Sequence, residues 1–546
     1  MTTGPLEAEL RIAELIDAAE DSVVSSVERS RLLIDQCNPD RSVADLRNIL
    51  RASGLLFDRG VPVRIVINQV ERRAVAEPIT PDGLVLLGHA ACRPFRFKDG
   101  LEVDARLPRS MATMYLDWRG EWRLALLNGI SSAPLLEDDG TISSGNGYDA
   151  SSGMWLDNVP DCASIVSARP STNDAIAALR LFRDAFKTFC FADAQTTNTA
   201  GHACPVVDIN KPPGKDESGF LNAALTAVCR PSLQLAPGVL FRAAPMSGSG
   251  AGKGLLARCI CLVAFGRQPH AVTAGATAEE FEKRMAAELI AGGPVLFLDN
   301  LNDSAVKSDL LAASVITERP TRIRILGKSK MVPLNASAFI ILTGNGVKVS
   351  EDLARRFVTV DFDPRTEDPE ARSFSSEIHA DICARRMEFL AALLTIWRWG
   401  RLEPGIQAGR TLGSFEKWGR WIRDPLLTLG CQDPVDRISD TKHQDSRRRS
   451  IAELYAAWWE RHGSTPVPAS GLHREVAQVA DPQGRGRQFL ASYLERNVGA
   501  RMGGFVLTRQ ASTGKWGTAT YALITTDGSK EDRGHRGLGT VGGPIE

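Results

Sequence analysis

The chain has 546 residues, enough for two to four domains with cores of their own. Its hydrophobic content of 43% and charged content of 24% are those of an ordinary globular protein, which excludes a fibrous or wholly disordered chain. Lysine plus arginine and aspartate plus glutamate both number 65, so the net charge neither indicates nor excludes nucleic acid as a partner.

The ten cysteines are scattered along the chain and form no CxxC pair. This pattern predicts reduced thiols, no zinc cluster and a cytoplasmic protein. The longest apolar runs are too short to span a bilayer, so no membrane association is expected.

Residues 1–36 predict a helix, because Leu10, Ile12, Leu15 and Ile16 share one helical face, and we place the end of this N-terminal element at residue 40. Residues 41–200 are expected to form an α+β accessory domain. Its predicted elements are a helix at residues 46–50, strands at residues 61–67, 84–87 and 121–126, and a helix at residues 172–190.

A turn-rich segment of this domain contains Glu137, Asp138 and Asp139. Three adjacent carboxylates suggest a metal site, but these residue types favour turns, and a solvated turn is the preferred interpretation. No Asp-x-Asp strand with a suitably placed histidine occurs in the chain, so any primase partner is expected to be a separate chain.

A strand, a glycine-rich loop and an apolar helix follow one another at residues 238–265. Glycines allow backbone N–H groups to turn towards phosphate oxygens, and the helix N-terminus adds its dipole. Lys253, expected in a surface loop, would bring a point charge to the β- and γ-phosphates. The residues predicted to bind nucleotide are Gly248, Gly250, Ala251, Gly252, Lys253, Gly254 and Leu255.

Three further segments follow in order. Residues 293–300 predict a buried strand that ends in Asp299, a position from which a carboxylate can hold Mg²⁺. Residues 338–345 predict another buried strand that ends in Asn345, an amide suited to orient a water or touch a γ-phosphate. Residues 351–357 predict a short helix with Arg355 and Arg356, either of which could reach a neighbouring subunit's γ-phosphate as an arginine finger.

The segments 250–253 (GAGK), 296–300 (LFLDN), 342–345 (LTGN) and 353–357 (LARRF) together resemble the superfamily 3 helicase branch of AAA+ ATPases. They resemble in particular the helicase halves of phage, plasmid and integrative-element primase-helicases, over about the middle third of the chain. The resemblance implies an α/β fold with an AAA+ P-loop ATPase domain at residues 205–370 and a helical lid at residues 371–432. It also implies ATP and Mg²⁺ as cofactors and a homo-oligomer, a hexameric ring with ATP at its subunit interfaces.

Two positions depart from the family pattern. Gly254 stands where the pattern has Ser or Thr, whose hydroxyl ligates Mg²⁺, and Ser247 stands where it has Gly. The metal would then depend on Asp299, phosphate oxygens and water. Asn300 stands where many AAA+ enzymes carry a catalytic glutamate, and an amide can position a water but cannot take its proton. ATP binding is therefore better supported than fast hydrolysis.

Residues 321–333 predict two strands around a tip at residues 327–330. In superfamily 3 helicases a hairpin at this place in the order holds single-stranded DNA in the central channel. The resemblance therefore implies that Lys328 and Lys330 bind backbone phosphates. A solvated basic turn is the alternative, and the position within the motif order favours DNA contact.

The lid is predicted to be helical, with Trp397, Trp399, Trp418 and Trp421 as core residues rather than platforms for bases. Residues 433–450 are polar and predict a linker. Residues 451–526 predict three helices followed by two strands, which is typical of a winged-helix domain. Between residues 441 and 520 basic residues outnumber acidic ones by twelve to six, which favours a nucleic-acid surface, although winged helices also bind proteins. Residues 527–546 are glycine-rich and predict a disordered tail.

Two functions remain open from the sequence. The first is an ATP-dependent DNA helicase or translocase that replicates a mobile genetic element and acts on single-stranded or forked DNA. The second is an ATP-gated DNA-binding or scaffold protein with weak or no hydrolysis, which the departures at Gly254 and Asn300 motivate.

Overall fold

The computed structural model describes residues 29–199, 204–244, 250–273, 277–301, 305–306, 316, 319–324, 331–349, 351–366, 368–371, 378–437, 446–510 and 519–525. Most of the predicted N-terminal helix, the hairpin tip at residues 327–330 and the predicted tail at residues 527–546 lie outside these ranges. The chain divides into two compact units. The larger comprises Met1–Val347 with Arg356–Val435, and the smaller comprises Lys348–Arg355 with Asp436–Glu546.

The first part of the larger unit mixes short strands with helices. In chain order these elements are β1 (Ser30–Leu33), α1 (Pro39–Ser53), β2 (Phe57–Asp58), β3 (Pro62–Asn68), β4 (Arg73–Pro78), α2 (Pro81–Ala91), β5 (Cys92–Lys98), β6 (Leu101–Asp104), α3 (Arg109–Asp117), β7 (Ala125–Leu126), β8 (Gly129–Ser131), β9 (Leu135–Leu136), β10 (Ile142–Ser143), β11 (Gly147–Asp149), β12 (Met154–Leu156), α4 (Thr172–Phe186), β13 (Thr196–Thr197) and β14 (Val206–Val207). The larger sheets have the strand orders β1-β5-β6, β4-β3-β2-β7 and β11-β12-β8.

Residues 84–87, predicted as a strand, lie inside α2. Thr80 caps this helix, since its side chain accepts a hydrogen bond of 3.1 Å from Gly83 N. Leu84 and Gly88, one helical turn apart, are the residues that α2 buries. The prediction was wrong because a short apolar run fits a buried strand and a buried helix equally, and the capping residue decides between them.

Two more predicted elements differ from the structure. Ser30–Leu33 lies within the predicted N-terminal helix, yet it is a strand that pairs in parallel with β5 and buries Leu32 completely. Of the predicted strand at residues 121–126 only β7 forms, because Trp122 enters the helical core instead. Its indole Nε1 donates a hydrogen bond of 2.7 Å to Tyr115 O.

The second part of the larger unit is built on a parallel sheet. In chain order the elements are α5 (Lys215–Cys229), β15 (Gly238–Ala243), α6 (Lys253–Phe265), β16 (Ala271–Thr273), α7 (Ala278–Ala291), β17 (Val295–Asp299), β18 (Ala305–Val306), β19 (Thr321–Arg324), β20 (Met331–Leu334), β21 (Phe339–Asn345), β22 (Lys348–Val349), α8 (Glu351–Ala354) and β23 (Phe357–Phe362), where β22 and α8 belong to the smaller unit. Five strands form the sheet in the order β16-β17-β21-β15-β23. Its three central strands are mostly buried and apolar, as expected for strands covered on both faces.

The helices that follow are α9 (Ile378–Ala384), α10 (Arg386–Leu402), α11 (Glu416–Trp418), a π-helical turn (Gly419–Arg423) and α12 (Asp424–Thr428). Phe182 of α4 packs against Phe220 of α5 and Phe389 of α10, so one aromatic core joins these three helices. The prediction placed α4 in the accessory domain, whereas its contacts lie with the helices that cover the parallel sheet. The prediction that four tryptophans of the lid are core residues is confirmed, since each is at most 1% exposed: Trp397, Trp399, Trp418 and Trp421.

The acidic segment between β9 and β10 is a turn, as predicted. Asp139 Oδ1 accepts a hydrogen bond of 2.8 Å from Thr141 N, which closes the turn. Asp138 Oδ1 accepts one of 2.7 Å from the indole of Trp421, so the turn is also held against the helical layer. Among the described residues no group of three or more His, Cys, Asp or Glu side chains could hold a metal ion.

The smaller unit has helices packed on an antiparallel sheet. Its elements after residue 436 are α13 (Ser446–His462), β24 (Val467–Pro468), α14 (Arg474–Ala480), α15 (Arg487–Asn497), β25 (Arg501–Met502), β26 (Phe505–Gln510) and β27 (Thr520–Thr525). The sheet has the order β24-β27-β26-β25, and its core includes Trp458, Leu494 and Leu507. The helix α13 begins at Ser446, within the predicted linker.

All ten cysteines carry free thiols. In the ranges that the structure covers, no helix is both long enough and apolar enough to cross a membrane.

Candidate functional site

Three of the predicted site residues, Lys253, Asp299 and Asn345, lie at one edge of the parallel sheet. The strand β21, which ends in Asn345, lies between β15, which leads into the glycine loop, and β17, which ends in Asp299. All three strands run in the same direction, so their carboxyl ends meet at this edge. Ligands of open parallel sheets bind at such an edge, where neighbouring strands lead to different loops.

The glycine loop requires glycine at two described positions. Gly250 has φ +71°, and a Cβ there would lie 2.6 Å from Glu370 Cγ. Gly252 has φ +87° and lies against the ring of Phe189, 3.3 Å from the position of an added Cβ. Because left-handed backbone is costly for other residues, these two glycines fix the turn into α6. Gly248 lies outside the described residues.

Lys253 is the first residue of α6 and is only 8% exposed. The expectation of a surface loop was wrong, because the helix starts at Lys253 itself and turns its side chain inwards. Its Nζ donates a hydrogen bond of 2.6 Å to Asn345 Oδ1. Burial lowers the pKa of Lys253, against the opposing influence of Cys190 and Asp299. An anion at this helix terminus would compensate the buried charge.

Asp299 is held by the neighbouring strand. The hydroxyl of Thr343 donates a hydrogen bond to Asp299 Oδ1 and accepts one of 3.2 Å from Asn300 N. Asn300 is exposed and has φ +62°, a left-handed conformation that asparagine tolerates better than most residues. One hydroxyl therefore fixes both the carboxylate and the backbone of the residue that follows it.

Arg258 and Gly254 adjoin the same carboxylate. The guanidinium of Arg258 lies with Nη2 at 3.5 Å from Asp299 Oδ2, and its Nη1 donates a hydrogen bond of 3.2 Å to Gly254 O. Its Cζ lies 5.1 Å from the centroid of the Phe297 ring. A Cβ at Gly254 would lie 3.5 Å from Asp299 Oδ1, so this residue, as predicted from its place in the motif, does border the carboxylate.

The remaining predicted residues differ in burial and in the unit to which they belong. Ala251 is buried, whereas Leu255 is 41% exposed on the surface of α6. Arg355 is exposed and belongs to the smaller unit, while Arg356 is half-buried and its carbonyl accepts a hydrogen bond of 2.9 Å from Gly238 N. Lys328 and Lys330 lie outside the described residues.

The strands β19 and β20 pair as the predicted antiparallel hairpin, and the first part of the chain contacts its base. A Cβ at Gly60 would lie 2.6 Å from Pro333 O, and Asn335 Nδ2 donates a hydrogen bond of 2.9 Å to Asn128 Oδ1. The buried guanidinium of Arg59 donates to the last carbonyls of α7, including Ile290 O at 2.8 Å. Residues 59–128 therefore hold both the hairpin base and the helix that precedes β17.

Sequence reasoning missed several residues of this site. The Sγ of Cys190 donates to Ala251 O at 3.4 Å, and Phe189 and Glu370 enclose the glycine loop. Thr343 could have been found, since it lies two residues before Asn345 on one strand and so faces the same side of the sheet. Arg258 could also have been found, because it follows Gly254 by four residues on one helix.

The site fits a nucleotide phosphate. Two left-handed glycines lead into the N-terminus of a 13-residue helix that no side chain caps, and a buried ammonium lies there. Among the described residues of this edge, Asp299 offers a carboxylate to Mg²⁺, and the place of the usual hydroxyl is held by Gly254 with the guanidinium of Arg258 beside it. The donor set thus suits phosphate better than it suits the metal.

Comparisons with known proteins add little. No protein-family model matches the chain, and no curated protein matches it. A solved structure described as "SCCmec type IV Cch - active helicase" has 12% identity and a TM-score of 0.32, over 85% of this chain and 91% of that one. A likeness this weak carries no argument.

Proposed function

We propose that this protein is an ATP-dependent DNA helicase or translocase that serves the replication of a mobile genetic element. The observation that carries the proposal is the meeting of Lys253, Asp299 and Asn345 at one edge of a parallel sheet. A lysine on a glycine loop, then a carboxylate and then an amide match the order of an AAA+ ATPase of the superfamily 3 type. The strand that ends in the amide lies between the other two, so the three strand ends are neighbours.

The roles of the residues follow from their contacts. ATP supplies the phosphoanhydride bond whose hydrolysis drives movement, and Mg²⁺ neutralises charge on its phosphates. Lys253 and the backbone of the glycine loop bind the phosphates, Asn345 orients Lys253, and Asp299 is the ligand available to the metal. Asn300 adjoins the carboxylate and positions a water without taking its proton. Slow hydrolysis is therefore part of the proposal.

We assign the arginine finger to Arg355. Its side chain is exposed, as expected of a residue that reaches the nucleotide of a neighbouring subunit in a ring, for which we propose a hexamer. Arg356 is half-buried, and its carbonyl is bonded to Gly238 N at the start of the P-loop strand. A packing role suits Arg356 better.

The hairpin is proposed to grip single-stranded or forked DNA. Its two strands are described, and they are anchored at their base through Gly60 and Asn335. A fixed base allows the tip, which carries Lys328 and Lys330, to transmit movement to phosphates without reading sequence.

The smaller unit is proposed to be a winged-helix domain that binds duplex DNA. Helices α13, α14 and α15 precede the antiparallel hairpin of β26 and β27, as in that fold. The helix α15 exposes Arg487 and Arg496. Replacing both with Ala should weaken duplex binding and leave ATP binding unchanged. Unaltered duplex affinity would favour a protein partner for this face.

Other parts of the proposal rest on the sequence alone. They are a cytoplasmic location, a primase supplied by a separate chain, and domain limits at residues 41–200, 205–370, 371–432, 433–450 and 451–526. The contacts of α4 with α5 and α10 favour an earlier start for the ATPase part.

A second candidate function is an ATP-gated DNA-binding or scaffold protein. Two observations favour it: Asn300 replaces a catalytic base, and Arg258 lies beside the carboxylate that would hold the metal. In such a protein ATP would be bound and released with little turnover.

The deciding experiment measures Mg²⁺-dependent ATPase activity and ATP binding with and without single-stranded DNA. A helicase should show turnover that DNA stimulates and that Lys253→Ala abolishes. Tight ATP binding without turnover, with DNA affinity that changes on ATP addition, would favour the scaffold. No ATP binding in the wild type would overturn both.

A further inference from the structure

Three contacts fix the side chain of Arg258 at the carboxyl end of β17. Its Nη2 lies 3.5 Å from Asp299 Oδ2, its Nη1 donates to Gly254 O at 3.2 Å, and its Cζ lies 5.1 Å from the centroid of the Phe297 ring. The side chains of Arg258 and Asp299 are 30% and 24% exposed, so water screens this pair only in part. The arginine thus holds a fixed charge at the proposed nucleotide site.

The guanidinium of Arg258 lies directly beside Gly254, where a side chain at residue 254 would begin. A Cβ at Gly254 would lie 3.1 Å from Arg258 Nη1, closer than side chains ordinarily pack, and 3.5 Å from Asp299 Oδ1. A hydroxyl side chain at this position would therefore project towards the carboxylate through the place that the guanidinium holds. The glycine that removes the usual metal ligand also makes room for the arginine.

We infer that Arg258 is a resident cation of the nucleotide site, which neutralises Asp299 in place of a hydroxyl-held Mg²⁺ and allows the nucleotide triphosphate to bind without metal. This inference rests on the proposed nucleotide-binding function. In an ordinary P-loop the metal lies between the carboxylate and the phosphates and removes their repulsion. Here a guanidinium, which is always charged and offers several donors in a rigid plane, does so from the protein side.

The consequence is a nucleotide affinity that depends little on Mg²⁺. Without Arg258 the carboxylate of Asp299 would face the phosphates unneutralised, so binding would come to require the metal. Lysine at this position would keep the charge and lose the planar contacts with Gly254 and Phe297, so it should restore part of the metal-free affinity. A hydroxyl at residue 254 should compete with the guanidinium for the space beside Asp299. The effects of Gly254→Ser and Arg258→Ala on nucleotide affinity should therefore not be additive.

The test is a titration of full-length protein with a fluorescent ATP analogue, in excess Mg²⁺ and in excess EDTA. For the wild type EDTA should weaken binding by less than about 5-fold. For Arg258→Ala and Arg258→Gln it should weaken binding by about 10- to 30-fold, the loss expected for one charge-assisted interaction. Arg258→Lys should fall between. The double variant Gly254→Ser/Arg258→Ala should bind well in Mg²⁺ and poorly in EDTA.

The matched control is Arg93→Ala. It removes an arginine of β5 that pairs with Asp104 of β6 at 2.9 Å, in a sheet that shares no strand with the parallel sheet of the site. It should leave both affinities unchanged. Equal sensitivity to EDTA in the wild type and in both neutral Arg258 variants would overturn the inference while ATP binding itself stands. If Lys253→Ala binds the analogue as tightly as the wild type, the proposed nucleotide site fails and the inference fails with it. Arg258→Gln keeps the side-chain length, so the test remains decisive if the Ala variant unfolds.

Discussion

Lys253 Nζ lies 2.6 Å from Asn345 Oδ1, and this hydrogen bond joins the first residue of α6 to the last residue of β21. The residue Lys253 is 8% exposed, and burial lowers its pKa. A buried cation costs free energy unless partners compensate it, and an amide oxygen compensates less than an anion would. The pair therefore holds the lysine in position for an anionic ligand.

The first prediction concerns the replacement Lys253→Met. It should lower ATP affinity by about 30- to 100-fold, because a hydrogen bond to a charged group is lost along with the cation itself. The melting temperature of the nucleotide-free protein should stay equal or rise, since the cost of burying the charge disappears. Differential scanning fluorimetry with and without ATP measures both effects. A melting temperature several degrees lower would mean that the bond to Asn345 is mainly structural.

The same lysine should make binding and stability depend on pH in opposite directions. The pKa of Lys253 is lowered below its ordinary 10.5 by burial, so the unfolded chain holds this proton more tightly than the folded one. The protonated lysine therefore destabilises the fold most at pH values below the lowered pKa, and this destabilisation decreases as the pH rises towards 10.5. ATP affinity should fall over the same range, because the neutral amine no longer attracts phosphate. In Lys253→Met both trends should be absent.

The second prediction separates the loop glycines from other glycines. Gly250→Ala should lower the free energy of unfolding by about 1–2 kcal/mol and abolish ATP binding, because its φ of +71° and the close approach of Glu370 forbid a Cβ. Gly252→Ala should act in the same way, through strain and contact with Phe189. The control is Gly145→Ala. An added Cβ there would have no heavy atom within 4 Å, and the backbone of Gly145 is not left-handed. Urea denaturation and ATP titration of the three variants test the difference. An unchanged free energy of unfolding and an unchanged ATP affinity in Gly250→Ala would refute the prediction.

The chemistry-bearing residues were predictable wherever they end an apolar run. Asp299 and Asn345 each close a strand of a parallel sheet, and the general rule for such sheets places them together. Cys190 was not, because its contact with Ala251 joins residues 61 positions apart in the sequence. No local pattern contains such a pairing. It depends on how α6 and the segment after α4 pack, which the sequence alone does not specify.

The fold shows a similar limit. The strand of residues 62–68 and the helix of residues 39–53 follow from local periodicity, whereas residues 84–87 read equally well as strand or helix. The N-cap at Thr80 was the missing signal for that helix. For Ser30–Leu33 no local signal exists, because its partner is the distant strand β5. Short edge elements are set by tertiary pairing rather than propensity.

The third prediction tests the anchor between the first part of the chain and α7. Arg59 is 3% exposed and donates hydrogen bonds to the carbonyls of Leu127, Leu289 and Ile290. Arg59→Met should lower the free energy of unfolding by about 3 kcal/mol or more, since three hydrogen bonds from a buried guanidinium are lost. The exposed Arg64→Ala should change it by less than about 1 kcal/mol. Equal effects of the two variants in urea denaturation would show that Arg59 is no anchor.

The fourth prediction concerns the arginine finger. Arg355→Ala should bind ATP normally and lack ATPase activity, because the exposed arginine acts on the nucleotide of a neighbour. Mixing it with Lys253→Ala should restore part of the activity, since some mixed interfaces pair an intact loop with an intact finger. Arg356→Ala should instead lower the melting temperature. No recovery in mixtures that demonstrably co-assemble would argue for a role within one subunit.

The fifth prediction concerns the hairpin of β19 and β20. Its base is fixed by Asn335, while Lys328 and Lys330 of its tip lie outside the described residues, so their role rests on the motif order. Replacing both lysines with Ala should remove the stimulation of ATPase by single-stranded DNA and any unwinding. ATP binding should be unchanged, because neither lysine belongs to the glycine loop. The plot of log affinity for single-stranded DNA against log salt should lose about 0.7 of slope for each phosphate contact removed.

The control is the double replacement of Lys98 and Lys283, two exposed lysines elsewhere, which removes the same charge and should leave that slope unchanged. If the hairpin variant keeps full stimulation by DNA, the proposal that this hairpin grips DNA and moves it fails. The scaffold function then becomes the better account of this chain.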